Sequence, residues 1–162
     1  MINRKVLFNF VMSLTLAASV IAATWQSASG DVRTQTKVVK AMPGSWSVNG
    51  DTAAQGEFKA LITFNSDGTM IADEPSAFET AGHGTWIFKG GSEVGYTFIV
   101  LIGSPSNEFS GTIKVVGTLR LAGGDNIWSG PFKVEVKDPG GNVVFSDTGT
   151  LTGTRIQVEP LD

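Results

Sequence analysis

His83 is the only histidine of the chain, and histidine is the side chain whose ordinary pKa lies nearest neutrality. It stands between Gly82 and Gly84, just ahead of an apolar stretch that begins at Trp86. Two roles fit it. One is a general acid or base at the mouth of a pocket; the other is a loop histidine bonded to the neighbouring backbone. Asp73, Glu74 and Glu79 fall in the same region. They are its candidate proton partners, or else a solvated rim, the commoner place for carboxylates. Asp147 is more unusual, because two-residue alternation sets it on the same side of its segment as Phe145 and Leu151. A carboxylate turned inward needs a partner or takes up a proton. Asp147 is therefore either a proton donor or acceptor in a pocket, or a wet group near the turn at 138–142. Tyr96, the only tyrosine, shares parity with Phe98 and Val100. Its hydroxyl either orients a ligand or is the wet tip of a core aromatic.

Other chemistries find no residues to carry them. The chain has no cysteine, which removes thiolate nucleophiles, disulfides and cysteine metal sites. One histidine does not make a zinc ligand set. There is no H-E-x-x-H, no phosphate-binding loop and no dinucleotide G-x-G-x-x-G, nor a G-x-S-x-G nucleophile turn. Gly90-Gly91 reads as a hairpin turn without the helix that phosphate binding uses. The reading is no metal and no cofactor. The 162 residues carry a formal charge of −3. The bases are scattered among acids, so nucleic acid is not an expected partner.

Strands must position these candidates. Turn residues recur at Asn49-Gly50-Asp51, Asn65-Ser66-Asp67-Gly68, Lys89-Gly90-Gly91-Ser92, Ser104-Pro105-Ser106-Asn107, Ala122-Gly123-Gly124-Asp125 and Asp138-Pro139-Gly140-Gly141-Asn142. Between them lie alternating runs rich in Val, Ile, Thr and Phe. They predict strands at 44–49, 57–65, 68–73, 84–89, 93–102, 108–121, 126–137 and 143–157. Eight strands joined by tight turns form an all-β, antiparallel up-and-down barrel that closes on itself and loses its edges; a two-sheet sandwich is the alternative. One face of each later strand is apolar: Phe109, Ile113, Val115 and Leu119, then Trp128, Phe132 and Val134, then Phe145 and Leu151. Glycines recur on these inner faces, which suits curvature and suggests unfilled space.

Ahead of the barrel, Arg4 and Lys5 precede an apolar run over 6–23 and then small residues to Gly30. That order reads as a secretory signal peptide, residues 1–30, cut between 22 and 30. Once it is cleaved no stable membrane anchor remains, and the protein is expected to be secreted or periplasmic. Residues 31–43 read as a polar N-terminal arm or tether, and 44–162 as the barrel domain.

Gly44-Ser45-Trp46 at the first strand, with Arg155 near the end of the last, resembles the calycin barrels, which include the lipocalins. The resemblance implies that Arg155 packs across Trp46 and closes the barrel floor. Phe64-Asn65-Ser66-Asp67-Gly68-Thr69, Gly82-His83-Gly84-Thr85-Trp86 and Asp147-Thr148-Gly149-Thr150 through Thr154-Arg155-Ile156 are similar to secreted bacterial barrels of lipocalin or allene-oxide-cyclase type. Barrels of that shape carry apolar ligands or hold a reactive polyene or polyketide while it cyclises. Two functions are expected on this basis. One is binding of a small apolar or amphipathic molecule near Trp86, Tyr96, Phe98, Phe132 and Phe145. The other is a cofactor-free cyclase, isomerase or lyase in the same pocket, with His83 and Asp147 as its catalytic groups. The sequence leaves the oligomeric state open.

Overall fold

A computed structural model describes residues 37–38 and 40–161. The proposed signal peptide and the start of the arm lie outside these residues. The strands are β1 Gly44–Thr52, β2 Gly56–Phe64, β3 Thr69–Asp73, β4 Gly82–Gly90, β5 Glu93–Gly103, β6 Phe109–Ala122, β7 Ile127–Lys137 and β8 Val143–Arg155. Each pairs antiparallel with the next, and β8 pairs back onto β1, so the sheet is a closed barrel. The sandwich alternative does not hold. Closure fits the sequence pattern: the inner faces are largely apolar, and pairing β8 onto β1 leaves no exposed edge.

The two ends differ. The β2–β3, β4–β5 and β6–β7 turns share one end with the start of β1 and the end of β8. There the described end of the arm packs onto the barrel. Residues 37–38 and 40–41 are helical, and the Met42 amide donates to the Val38 carbonyl at 2.9 Å. Met42 and Val38 are buried in the same core as Trp46. They stand four residues apart, so both side chains fall on one face of the turn and plug the barrel.

Arg155 latches this plug. It is paired across the ladder with Trp46, and its guanidinium carbon lies 4.1 Å from the indole centroid. The same group donates to the carbonyls of Pro43 (3.0 Å), Ala41 and Asp125. The carbonyls left free where the helical turn ends thus find a cationic donor. The contact implied by the calycin resemblance is present, together with a plug that the polar look of the arm concealed.

Above the latch sits a packed aromatic layer. Phe64 meets Trp86, Tyr96 and Trp128 edge-on at 6.1, 6.5 and 6.3 Å, and Trp46 meets Trp128 at 6.1 Å. Such pairs add roughly 0.5–1.5 kcal/mol each beyond their area. The inner glycines seat these rings rather than leaving space. A Cβ on Gly153 would fall on the Trp128 indole, and one on Gly117 on the Tyr96 ring. Gly50 likewise accommodates Phe58, and Gly149 accommodates Phe132.

Candidate functional site

The other half of the barrel is not filled. A cavity of about 170 Å³ lies there, walled by Phe58, Ile62, Phe98, Val115, Phe132 and Leu151 among others. These walls come from the opposite ends of the strands whose other halves form the aromatic layer. Phe58 and Phe132 meet edge-on at 6.2 Å across it. The rim is built from the end of β1, the β1–β2 turn, the 74–81 segment after β3, and the start of β8.

Three of the five expected ligand residues, Phe98, Phe132 and Phe145, line this cavity. Phe145 does so from the rim, where it is 38% exposed. Trp86 and Tyr96 do not line it. Both point inward and are buried, but they belong to the packed layer nearer the plugged end. Trp86 donates its indole N–H to the Asn65 carbonyl at 2.9 Å, which anchors it to the β2–β3 turn. The Tyr96 hydroxyl is buried with no hydrogen-bond partner in the structure. Burial alone raises its pKa, so it remains protonated and cannot act as a base near neutral pH.

His83 is not at the mouth. It lies within β4, between Ile71 of β3 and Ile99 of β5, and it is exposed. Gly82, Gly84 and Trp86 take the inner positions of this strand, so the alternation turns His83 outward. It does not line the cavity. Phe109, also expected on an inner face, is 55% exposed; the register shift between Ile102 and Gly103 breaks the alternation at that end of β6.

Asp147 does line the cavity, at its rim. It accepts the Ala54 amide at 2.9 Å and the Thr148 amide at 2.8 Å. These backbone donors hold its carboxyl below the ordinary aspartate range, the Ala54 amide most of all. Asp147 is therefore ionised and committed to fixing the β1–β2 turn against β8. The proton-donor reading gives way to a structural one.

Three more carboxylates share the rim: Asp73, Glu74 and Glu79. Glu79 is held by the backbone on both sides. The Phe78 carbonyl accepts from Gly103 at 2.6 Å, and the Thr80 amide donates to Leu101 at 3.0 Å. Glu74 is pushed above its ordinary pKa, first by loss of solvent, then by the charge of Glu79 and a hydrogen bond with its carboxyl, and last by the Asp73 charge. Among the described residues, the wall and rim include no Lys, Arg or His. Among the described residues no group of three or more His, Cys, Asp or Glu is arranged to hold a metal ion.

No family model matches the chain, and no curated protein matches it. Among solved structures the chain is similar to a redesigned β-barrel, with 17% identity and a TM-score of 0.32 over 74% of this chain and 96% of that one.

Proposed function

We propose that this is an exported barrel that binds one small apolar or amphipathic molecule in its open half, without turnover. The cavity carries the reading: it is walled by apolar and aromatic side chains and has a few polar groups gathered at one side, the usual make-up of a small-molecule site. Its size limits the guest. An apolar cavity of about 150 Å³ holds a benzene-sized molecule, whereas drug-sized pockets run to roughly 300–1,000 Å³. A single ring or a short alkyl chain suits the lumen; a long polyene or polyketide does not. Kinship with the calycin barrels is part of the proposal, supported by the Trp46–Arg155 stack and the up-and-down closure. Export and a secreted or periplasmic site are supported by the charge, apolar run and small residues of 1–30.

A second reading, a cofactor-free isomerase, cyclase or lyase, is favoured by one observation. Glu74, with its raised pKa at the cavity rim, is the carboxyl best suited to exchange a proton with a guest. His83 and Asp147 are less suited, one by its outward position and the other by its backbone bonds.

Calorimetric titration with toluene or a short-chain alcohol tests the binding reading. Saturable binding near one per chain is expected, with loss of at least about tenfold in affinity in Ala60→Phe, which fills the lumen from its wall. Absence of saturable binding to the folded protein overturns it. Conversion of the bound molecule that disappears in Glu74→Gln would replace carriage with catalysis.

A further inference from the structure

The site is the cavity just described, and the inference rests on that reading; it concerns the charge of the ligand's polar end. Four carboxylates, Asp73, Glu74, Glu79 and Asp147, stand at the rim of the lumen, and among the described residues no basic side chain lines either wall or rim. The ion pairs among the described residues are Lys37–Asp125, Lys89–Glu93, Arg120–Glu93 and Lys133–Glu135. None of them neutralises a rim carboxylate. The Asp147 carboxylate is fixed by the Ala54 and Thr148 amides, and the backbone that carries Glu79 is tied to β5 through Phe78 and Thr80.

We infer that the barrel takes amphiphiles with a cationic head, such as a primary amine on a short apolar body, and rejects those with an anionic head. The apolar body fills the lumen between Phe98 and Phe132, and the ammonium lies among Glu74, Glu79 and Asp147. Three physical points converge. A cation relieves the mutual repulsion of carboxylates crowded beside an apolar wall. An ammonium supplies the hydrogen-bond donors that carboxylates, being acceptors only, require. A carboxylate or phosphate head would meet four like charges, with only the neutral donors of Thr52, Gln55 and Thr80 beside them, and like-charge juxtaposition rejects a partner strongly. The small lumen adds a length limit, since a chain much beyond a ring or a short alkyl run would leave its head outside the rim.

The experiment compares three ligands of one short chain length on the full-length protein by calorimetry at neutral pH: pentylammonium, pentanol and pentanoate. Pentylammonium is expected to bind about tenfold or more tightly than pentanol, a difference of about 1.4 kcal/mol, and pentanoate more weakly than either. The advantage should shrink with added salt. In Glu74→Gln/Glu79→Gln the ratio of pentylammonium to pentanol affinity should fall to near one. Glu79→Gln alone gives an intermediate ratio and serves if the double variant is poorly folded by circular dichroism. Pentanol or pentanoate binding as tightly as pentylammonium overturns the inference and leaves the lumen reading standing. A ratio unchanged in the folded variants also overturns it. Failure of all three ligands to bind overturns both.

Discussion

Arg155 joins three pieces of chain that are far apart in sequence, and its removal gives the most demanding test of the fold. In Arg155→Ala the indole of Trp46 loses a cation over its face, which is worth about 1–2 kcal/mol in a partly desolvated site. The carbonyls of Ala41, Pro43 and Asp125 lose a charged donor. A charged hydrogen bond contributes about 1.5–3 kcal/mol net. One guanidinium makes all these contacts and some of the carbonyls regain water, so the terms do not add. An overall loss of about 2–4 kcal/mol is expected, a large share of a typical domain stability of about 5–15 kcal/mol. Urea unfolding followed by near-UV circular dichroism measures it. Arg155→Lys keeps the charge but not the planar fork, and should recover only part of the loss. Hydrogen exchange locates it: the Met42 amide, bonded to Val38, should lose protection before the barrel strands do. A cost within about 0.5 kcal/mol, the range of ordinary surface substitutions, with Met42 still protected, would refute the latch.

Three further outcomes follow from single side chains. Tyr96→Phe removes a buried hydroxyl that lacks a partner and should leave stability unchanged or raise it by up to about 1 kcal/mol; a clear loss in urea unfolding would mean the hydroxyl is satisfied after all. Asp147 has its pKa lowered by folding, so it contributes stability above its unfolded-state pKa, and that contribution is lost as pH falls through the folded-state value. Asp147→Asn should therefore cost stability at neutral pH, with the difference from the parent closing in acid; a difference independent of pH would point to packing instead. Glu74 has the opposite sign: its folded pKa is raised, so stability falls as pH rises through that value. Glu74→Gln should stabilise the protein at neutral pH and lose its advantage in acid, and thermal melts across pH would expose a constant or reversed effect.

The eight strands were legible because two signals agreed along the chain: turn residues at regular spacing and a two-residue apolar period between them. That agreement extends to Trp46 and Arg155. The side of His83 was legible too, since it has the opposite parity to Trp86; treating Gly82-His83-Gly84 as a loop hid the strand that runs through it. Parity tells inside from outside but not top from bottom. Trp86 and Tyr96 point inward as expected, yet they sit near the β4–β5 turn at the plugged end, and only counting toward successive turns reveals it. The plug carried a faint signal, Val38 and Met42 at helical spacing, masked by Lys37 and Lys40. The role of Asp147 was beyond reach, because its partner Ala54 lies 93 residues away in sequence. Glu74 and Glu79 sit in a segment without periodicity, where only the folded backbone shows what they face.

The seating of rings on glycines has a consequence for how such a protein can change its guest. Phe58 and Phe132 line the lumen, and each leans on a wall position that has no side chain, Gly50 and Gly149 respectively. At Gly50 the nearest obstacle to a methyl group is the far end of Phe58 itself, whereas at Gly149 it includes the Asp51 backbone. One methyl at Gly50 therefore pushes Phe58 toward the barrel axis and narrows the chamber, while the strand ladder stays as it is. Guest size can be retuned from residues that touch no guest. A lineage could walk from one ligand to another by small steps in positions that a comparison of lumen residues would never single out.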